Sequence, residues 1–263
     1  MNTNPLKDVR LYMLDMDGTF YLGNNLLPGA LEFLDAADKA GKRFLFLTNN
    51  SSRSRSDYVK RLTGMGAKVT SDDIFTSADA TLIYLKREGF GKNILLFGTP
   101  SLEKQFTDAG YEIHAEKPCA VVLGFDQTLT YQKLTDLCNA VRAGLPYIAT
   151  HPDFNCPVEN GFIPDTGSMM AFVKASTGRN ADAVIGKPNR FIADAAAEQY
   201  GLQCEEVCMV GDRLYTDIAL GNSCPVKTAL VFSGETSHED YANQSAVHAT
   251  VAEETIGDLI KYL

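Results

Sequence analysis

The 263-residue chain has no Cys-x-x-Cys pair, no apolar run near the length of a membrane span and no surplus of positive charge. Each absence removes a class of function. The six cysteines, Cys119, Cys138, Cys156, Cys204, Cys208 and Cys224, are scattered through a chain large enough to bury its own core, so they read as reduced thiols. Cys204 and Cys208 stand four apart, but Cys208 falls in an apolar run and no histidine is near it in sequence, which argues against zinc. Without a bilayer-length apolar stretch the chain is not expected in a membrane. Met1 to Asp8 is polar and has no apolar core of signal-peptide length behind it, so the expected address is the cytoplasm. A formal net charge of -9 argues against nucleic acid or anionic lipid as partner, and any anionic ligand must be held by local positive groups. Repeats and low-complexity segments are absent as well. What is present, 45% apolar and 22% charged residues, is the composition of an ordinary globular protein of one large or two modest domains.

The strongest signal lies near the start, where Leu11-Tyr12-Met13-Leu14 runs into Asp15-Met16-Asp17-Gly18-Thr19. A short apolar run reads as a buried strand, and period-2 geometry sends Asp15 and Asp17 toward the same side as the strand gives out. Two like charges that close need a cation or a shared proton. Gly18 lets the backbone bend there. Read alone, the segment also suits an Asp-Gly hairpin turn. Three further segments repeat the arrangement: Phe44 to Leu47 ends in Thr48-Asn49-Asn50-Ser51-Ser52, Ala183 to Ile185 ends in Gly186-Lys187-Pro188, and Val207 to Val210 ends in Gly211-Asp212, with Thr216-Asp217 close behind. Four such runs suggest one parallel sheet with one site along its carboxyl edge.

Taken in order, these residues resemble the haloacid dehalogenase (HAD) superfamily of phosphohydrolases, with its Asp-x-Asp-Gly-Thr, strand-terminal Ser or Thr, Lys, and Gly-Asp-x-x-x-x-Asp motifs. They correspond to Asp15 to Thr19, Thr48, Lys187 and Gly211 to Asp217. Asp17 to Gly23, Leu47 to Ser51 and Gly211 to Asp217 are similar to the NagD and 4-nitrophenyl phosphatase subfamily. That resemblance implies an α/β protein: a Rossmann-like HAD core with a parallel sheet, and an inserted α/β cap of the C2 type between the second and third motifs. It also leaves room for a homo-oligomer formed through the cap.

The chain has space for that insertion. Pro28 to Gly41, Ser54 to Met65 and Ser77 to Arg87 read as helices. A second alternating set follows: Ile94 to Phe97, a helix around Leu102 to Ala109, Ala120 to Leu123, a helix from Tyr131 to Ala143, and Pro146 to Ala149. Ser168 to Ser176 reads as helix, Gly178 breaks it, and the core sheet is expected to resume at Ala183. The expected division is a discontinuous core, 1–80 and 181–263, around a cap at 81–180.

Four carboxylates, Asp15, Asp17, Asp212 and Asp217, against the one ammonium of Lys187 leave a formal -3 in one pocket. Such a pocket rejects a phosphate dianion unless a divalent cation changes the balance, and an all-oxygen ligand set favours Mg2+. The alternative, carboxylates tied up in structural salt bridges, lacks enough nearby cations in these motifs. By resemblance and geometry together, Asp15 attacks phosphorus to form an aspartyl phosphate, and Asp17 is general acid and then base. Asp15 and Asp212 hold Mg2+ by their side chains, and the Asp17 carbonyl adds a ligand by family resemblance. Asp217 positions Lys187 or a water of the cation. Thr48 and Lys187 bind phosphoryl oxygens, with Asn49 and Asn50 as further amide donors near a helix N-terminus. Read alone, Thr48 to Ser52 also suits a capping loop.

Selectivity must come from the cap, because the core handles only the phosphoryl group. The matching loop holds Thr150-His151-Pro152-Asp153 and Pro164-Asp165-Thr166. His151 stands where Asn is common in the subfamily and Asp165 where a small residue is common, so both are candidates for contact with the leaving group. A Pro-bounded turn capped by Asp153 is the other reading. Asp126 reads as a turn or cap residue. The expected activity is Mg2+-dependent hydrolysis of small phosphomonoesters, such as sugar phosphates or nucleotides, and of aryl phosphates. The alternatives are a phosphotransferase or mutase on the same core, and a phospho-accepting switch. Asp17 distinguishes them, since a switch has no use for a base that destroys its acyl phosphate.

Overall fold

The computed structural model describes residues 4–158 and 161–263. They divide into two compact units, one of 4–48, Tyr58–Phe75 and Lys187–Leu263, the other of Asn49–Asp57 and Thr76–Gly186. The joins at 80/81 and 180/181 drawn from the sequence left Asn49–Asp57 with the first unit. Among the described residues no helix is long and apolar enough to cross a membrane.

The first unit is built on a six-stranded sheet in the order Val251–Glu253, Lys227–Val231, Val207–Gly211, Leu11–Leu14, Arg43–Thr48, Ile74–Thr76. Leu11 to Leu14 run parallel to both neighbours, in register with Val207 to Val210 and with Arg43 to Phe46. All four side chains of this central strand are fully buried, as expected where both faces of a parallel sheet are covered. Tyr12 and Leu14 point into a core shared with Phe46, Cys208 and Val210. Helix Ala30–Lys39 closes over that core with Ala30, Phe33, Leu34 and Ala37, a stripe at helical spacing. Phe33 meets Tyr12 edge-on at 5.4 Å. Its burial contributes on the order of 2 kcal/mol by apolar area.

The second unit carries its own four-stranded parallel sheet, ordered Ala183–Val184, Tyr147–Ala149, Ala120–Leu123, Ile94–Phe97. Ala183–Val184 therefore does not resume the first sheet, as read from the sequence; it pairs with Ile148 and Ala149 at the edge of the second. Two paired residues carry no signal of which sheet will accept them, and the adjacent strand Tyr147–Ala149 supplies the open edge. Helix Thr166–Thr177 ends at Gly178, whose left-handed φ of 77° closes it. Its N-cap is Asp165, not a turn held by Asp153. Asp126 makes a turn, accepting the Thr128 N–H and hydroxyl, and pairs with Lys133 at 2.7 Å.

Candidate active site

Three strands of the first sheet end together in polar groups. Asp15 follows Leu14 and continues the ladder, its N–H donating to Val210 at 2.9 Å. Thr48 closes the strand beside it, and Asp212 follows Gly211 on the other side. This is the carboxyl edge of a parallel sheet, where open α/β folds bind ligands. Carboxylate oxygens of Asp15, Asp212 and Asp217 all lie within 4.8 Å of one another.

Lys187 reaches the same place from just beyond Gly186. Its Nζ lies 2.6 Å from Oδ1 of Asp15 and 2.6 Å from Oδ1 of Asp217, and it donates a longer bond to the Leu47 carbonyl. Burial alone would discharge this lysine, but Asp15 and Asp217 outweigh it and hold the ammonium above its ordinary range. Asp217 is thus placed against Lys187, and its other oxygen accepts the Arg213 N–H at 3.1 Å.

Asp212 is held on two sides. Thr19 donates its hydroxyl to Oδ1 at 3.2 Å and the Glu235 N–H donates to Oδ2 at 2.7 Å. The main chain comes so close that only glycine fits: a Cβ on Gly18 would lie 2.3 Å from Oδ2 of Asp212, and one on Gly234 would lie 2.0 Å from it. Gly18 also has φ of +84°, a region that other side chains rarely adopt. Burial, with the negative charges of Asp15 and Asp217, pushes the Asp212 carboxyl up to about 8. Burial also lifts Asp217 to about 6, against the pull of Lys187. Carboxyls displaced this way need positive charge to ionise, and they offer oxygen ligands only, which fits a hard divalent cation.

Asp17 lies at the rim, open to solvent on its outer side. Crowding of its inner side and the charge of Asp15 raise its pKa, against Arg61 and Arg213. Tyr21 donates its hydroxyl to Oδ2 of Asp17 at 3.4 Å, and the Arg61 guanidinium stacks 4.3 Å from the Tyr21 ring centre. Arg213 is the residue that the sequence reading missed. Its guanidinium feels Asp15 and Asp212 strongly enough to stay charged despite burial, and it pairs with Glu235 at 3.0 Å. The count of one cation against four carboxylates therefore needs Arg213, and Arg61 as well where Asp17 is concerned. The only prior signal was the position of Arg213 beside Asp212.

The remaining candidates belong to the second unit. Asn49 donates its amide to Asp153 at 3.0 Å, while Asn50 accepts the N–H and hydroxyl of Ser52 in a local turn. His151 and Asp165 face each other, Nε2 to Oδ1 at 2.8 Å, at 0% and 3% exposure.

Two family descriptions match the chain, a haloacid dehalogenase-like hydrolase over residues 12–112 and a HAD-hydrolase-like family over residues 184–258. An acid sugar phosphatase of Staphylococcus aureus (strain MRSA252) is 35% identical over 241 residues, 91% of this chain and 93% of that protein. In three dimensions the chain is similar to 4-nitrophenylphosphatase from Thermotoga maritima, with a TM-score of 0.93, 46% identity and 98% of both chains covered. A glycerol phosphate phosphatase from Mycobacterium tuberculosis, solved in complex with calcium, gives a TM-score of 0.88 at 28% identity over 98% of this chain and 76% of that one.

Proposed function

The chain belongs to the haloacid dehalogenase-like hydrolases, in the branch of NagD and the 4-nitrophenyl phosphatases, and from that membership we propose how its residues hydrolyse small phosphomonoesters. The observation that carries the reading is the convergence of Asp15, Asp212 and Asp217 with Lys187 at one sheet edge. Asp15, the most exposed of those three carboxylates, is the nucleophile. One of its oxygens bonds to phosphorus as the bond from phosphorus to the ester oxygen breaks. Asp17 gives its proton to the departing alkoxide, which its raised pKa favours. In the second step Asp17 takes a proton from water as that water attacks phosphorus, releasing phosphate and Asp15. The Thr48 hydroxyl and the Lys187 ammonium meet the phosphoryl oxygens, where fixed donors act most strongly on the transition state.

Mg2+ fits the donor set, and the carboxylates of Asp15 and Asp212 with the main-chain carbonyl of Asp17 would hold it. When bound it neutralises carboxylate charge and polarises the phosphoryl group. The calcium complex of the mycobacterial relative is in keeping with a hard-cation site. Sugar phosphates head the substrate range by likeness to the Staphylococcus enzyme, with glycerol phosphate and aryl phosphates beside them. We place the protein in the cytoplasm, as a homo-oligomer formed through the second unit, in keeping with exposed Phe154 and Phe162 there. The deciding experiment is phosphate release from a panel of sugar, glycerol and aryl phosphates, with metal removed by chelator and then restored as Mg2+. Turnover that is lost and recovered supports the reading; no turnover of any ester under either condition overturns it.

A further inference from the structure

Resting on that phosphatase reading, we propose that His151 is a positioning residue: through the hydroxyl of Thr150 it fixes the loop beginning at Asn49, and with it Gly186, the covalent neighbours of Thr48 and Lys187. The network lies within the second unit. Nε2 of His151 lies 2.8 Å from Oδ1 of Asp165, Nδ1 lies 2.9 Å from the Thr150 hydroxyl, and that hydroxyl lies 3.1 Å from the Ser51 hydroxyl. Ser51 in turn accepts the Phe125 N–H at 2.9 Å. His151, Thr150 and Ser51 are fully buried, so bulk water does not compete for these bonds.

With the imidazole neutral, donor and acceptor capacity gives the chain one direction. A carboxylate only accepts, so Nε2 carries a proton toward Asp165. Nδ1 then accepts the Thr150 O–H, the Thr150 oxygen accepts the Ser51 O–H, and the Ser51 oxygen accepts from Phe125. Every proton has an acceptor, and turning any one group breaks the next bond. Apolar groups in place of the whole chain would fill the same space at comparable stability, whereas removing one member strands its neighbours. What the polar chain adds is a single arrangement of the loop.

That arrangement reaches both ends of the insertion. The Gly186 N–H donates to the Thr150 carbonyl at 2.8 Å. A Cβ on Gly186 would lie 2.5 Å from Oδ1 of Asn49 and 2.7 Å from Cβ of His151. The residue after Thr48 and the residue before Lys187 are therefore packed at the Thr150–His151 step, with Asn49 tied further to Asp153 at 3.0 Å. His151, Asp153 and Asp165 also bring ligand atoms within 4.8 Å of one another. Both imidazole nitrogens already serve the hydrogen-bonded chain, which favours positioning over metal binding.

The test measures binding of inorganic phosphate by calorimetry with Mg2+ present, together with kcat and KM for 4-nitrophenyl phosphate. The parent protein is compared with His151→Asn, His151→Gln, Thr150→Val and Thr150→Ser. An Asn amide stands in for Nδ1 and keeps the branch to Thr150; a Gln amide stands in for Nε2 and loses it. His151→Gln and Thr150→Val are expected to weaken phosphate roughly tenfold, the scale of one net hydrogen bond, while His151→Asn and Thr150→Ser stay within about threefold. KM should rise more than kcat falls. Variants that melt earlier but bind phosphate as tightly as the parent would overturn the proposal, and so would equal losses in His151→Asn and His151→Gln. Should the His151 variants fail to fold, the Thr150 pair decides, since Val and Ser separate the hydroxyl from the methyl at one site. A parent protein that neither binds phosphate nor releases it from the ester sinks the phosphatase reading and this inference together. An active parent with unchanged affinity in Thr150→Val sinks the inference alone.

Discussion

Nζ of Lys187 and Oδ1 of Asp217 lie 2.6 Å apart, with both side chains almost wholly withdrawn from solvent. The pair joins the lysine to a cluster whose carboxylates repel one another, so the ammonium acts there as a built-in cation. Replacing it by methionine keeps the volume and removes the charge. Lys187→Met should therefore bind Mg2+ more tightly than the parent, seen as a larger rise in melting temperature per step of added metal. It should at the same time lose turnover on the order of 10²-fold, the effect of losing one oxyanion donor. Weaker Mg2+ binding in the variant would mean that Lys187 organises the carboxylates more than it competes for their charge.

Asp15→Asn preserves shape and removes the attacking oxygen. Phosphate release from 4-nitrophenyl phosphate should nearly vanish while the melting transition stays cooperative. Turnover at the parent rate would remove the covalent step. Chelation should silence the parent in the same assay, and Mg2+ should restore it.

Tyr21 donates its hydroxyl to Asp17, and the charge of Arg61, over the Tyr21 ring, acts on the same carboxyl. If Asp17 supplies the proton to the leaving oxygen, Asp17→Asn should slow alkyl phosphates far more than 4-nitrophenyl phosphate, whose phenolate departs without help. Rates of bond cleavage for the two esters, taken before the second step limits turnover, give the comparison. An equal loss for both would leave Asp17 without its acid role.

Much of this arrangement was legible before any coordinates. Leu11–Leu14, Ile94–Phe97 and Ala120–Leu123 are uninterrupted apolar runs, and each strand ends where a polar residue or a glycine follows. Asp15 and Asp212 are visible because each closes such a run. Ala183–Val184 was assigned to the wrong sheet because strand pairing is decided by which edge lies open, a long-range property. Asp153 and Asp165 both stand beside prolines or helix starts, and only the backbone shows that Asp165 is the cap. Arg213 has no periodicity or spacing of its own, so its charge entered only with the fold.

Gly211 offers a steric test. A Cβ there would lie 2.2 Å from Cγ of Asp217, and its backbone is not in the left-handed region, so crowding is the whole effect. Gly211→Ala should cost about 1–3 kcal/mol of stability, the usual range for overpacking, and lower activity by shifting Asp217 from Lys187. Gly64, at the end of helix Arg55–Gly64 with nothing within 4 Å, is the control. Alanine there should be neutral or stabilising by up to about 1 kcal/mol. Similar losses at both positions, measured by chemical denaturation, would show that the Asp217 contact is not what demands glycine.

Asp165 is where the sequence suggested a substrate contact and the structure shows a different occupation. Its Oδ1 takes the Thr166 N–H at 2.6 Å, capping helix Thr166–Thr177, and the same oxygen receives His151. A carboxylate so enclosed meets little of a leaving group. Asp165→Gly should lose the cap and leave a buried imidazole N–H without its acceptor, costing about 2–3 kcal/mol when the two effects are taken together. Because the loss is in the scaffold, kcat/KM for an anionic and for a neutral phosphomonoester should fall by the same factor. A ratio that shifts toward the anionic ester would instead show that the charge of Asp165 is felt by the substrate, and would return the residue to the role that its unusual position first suggested.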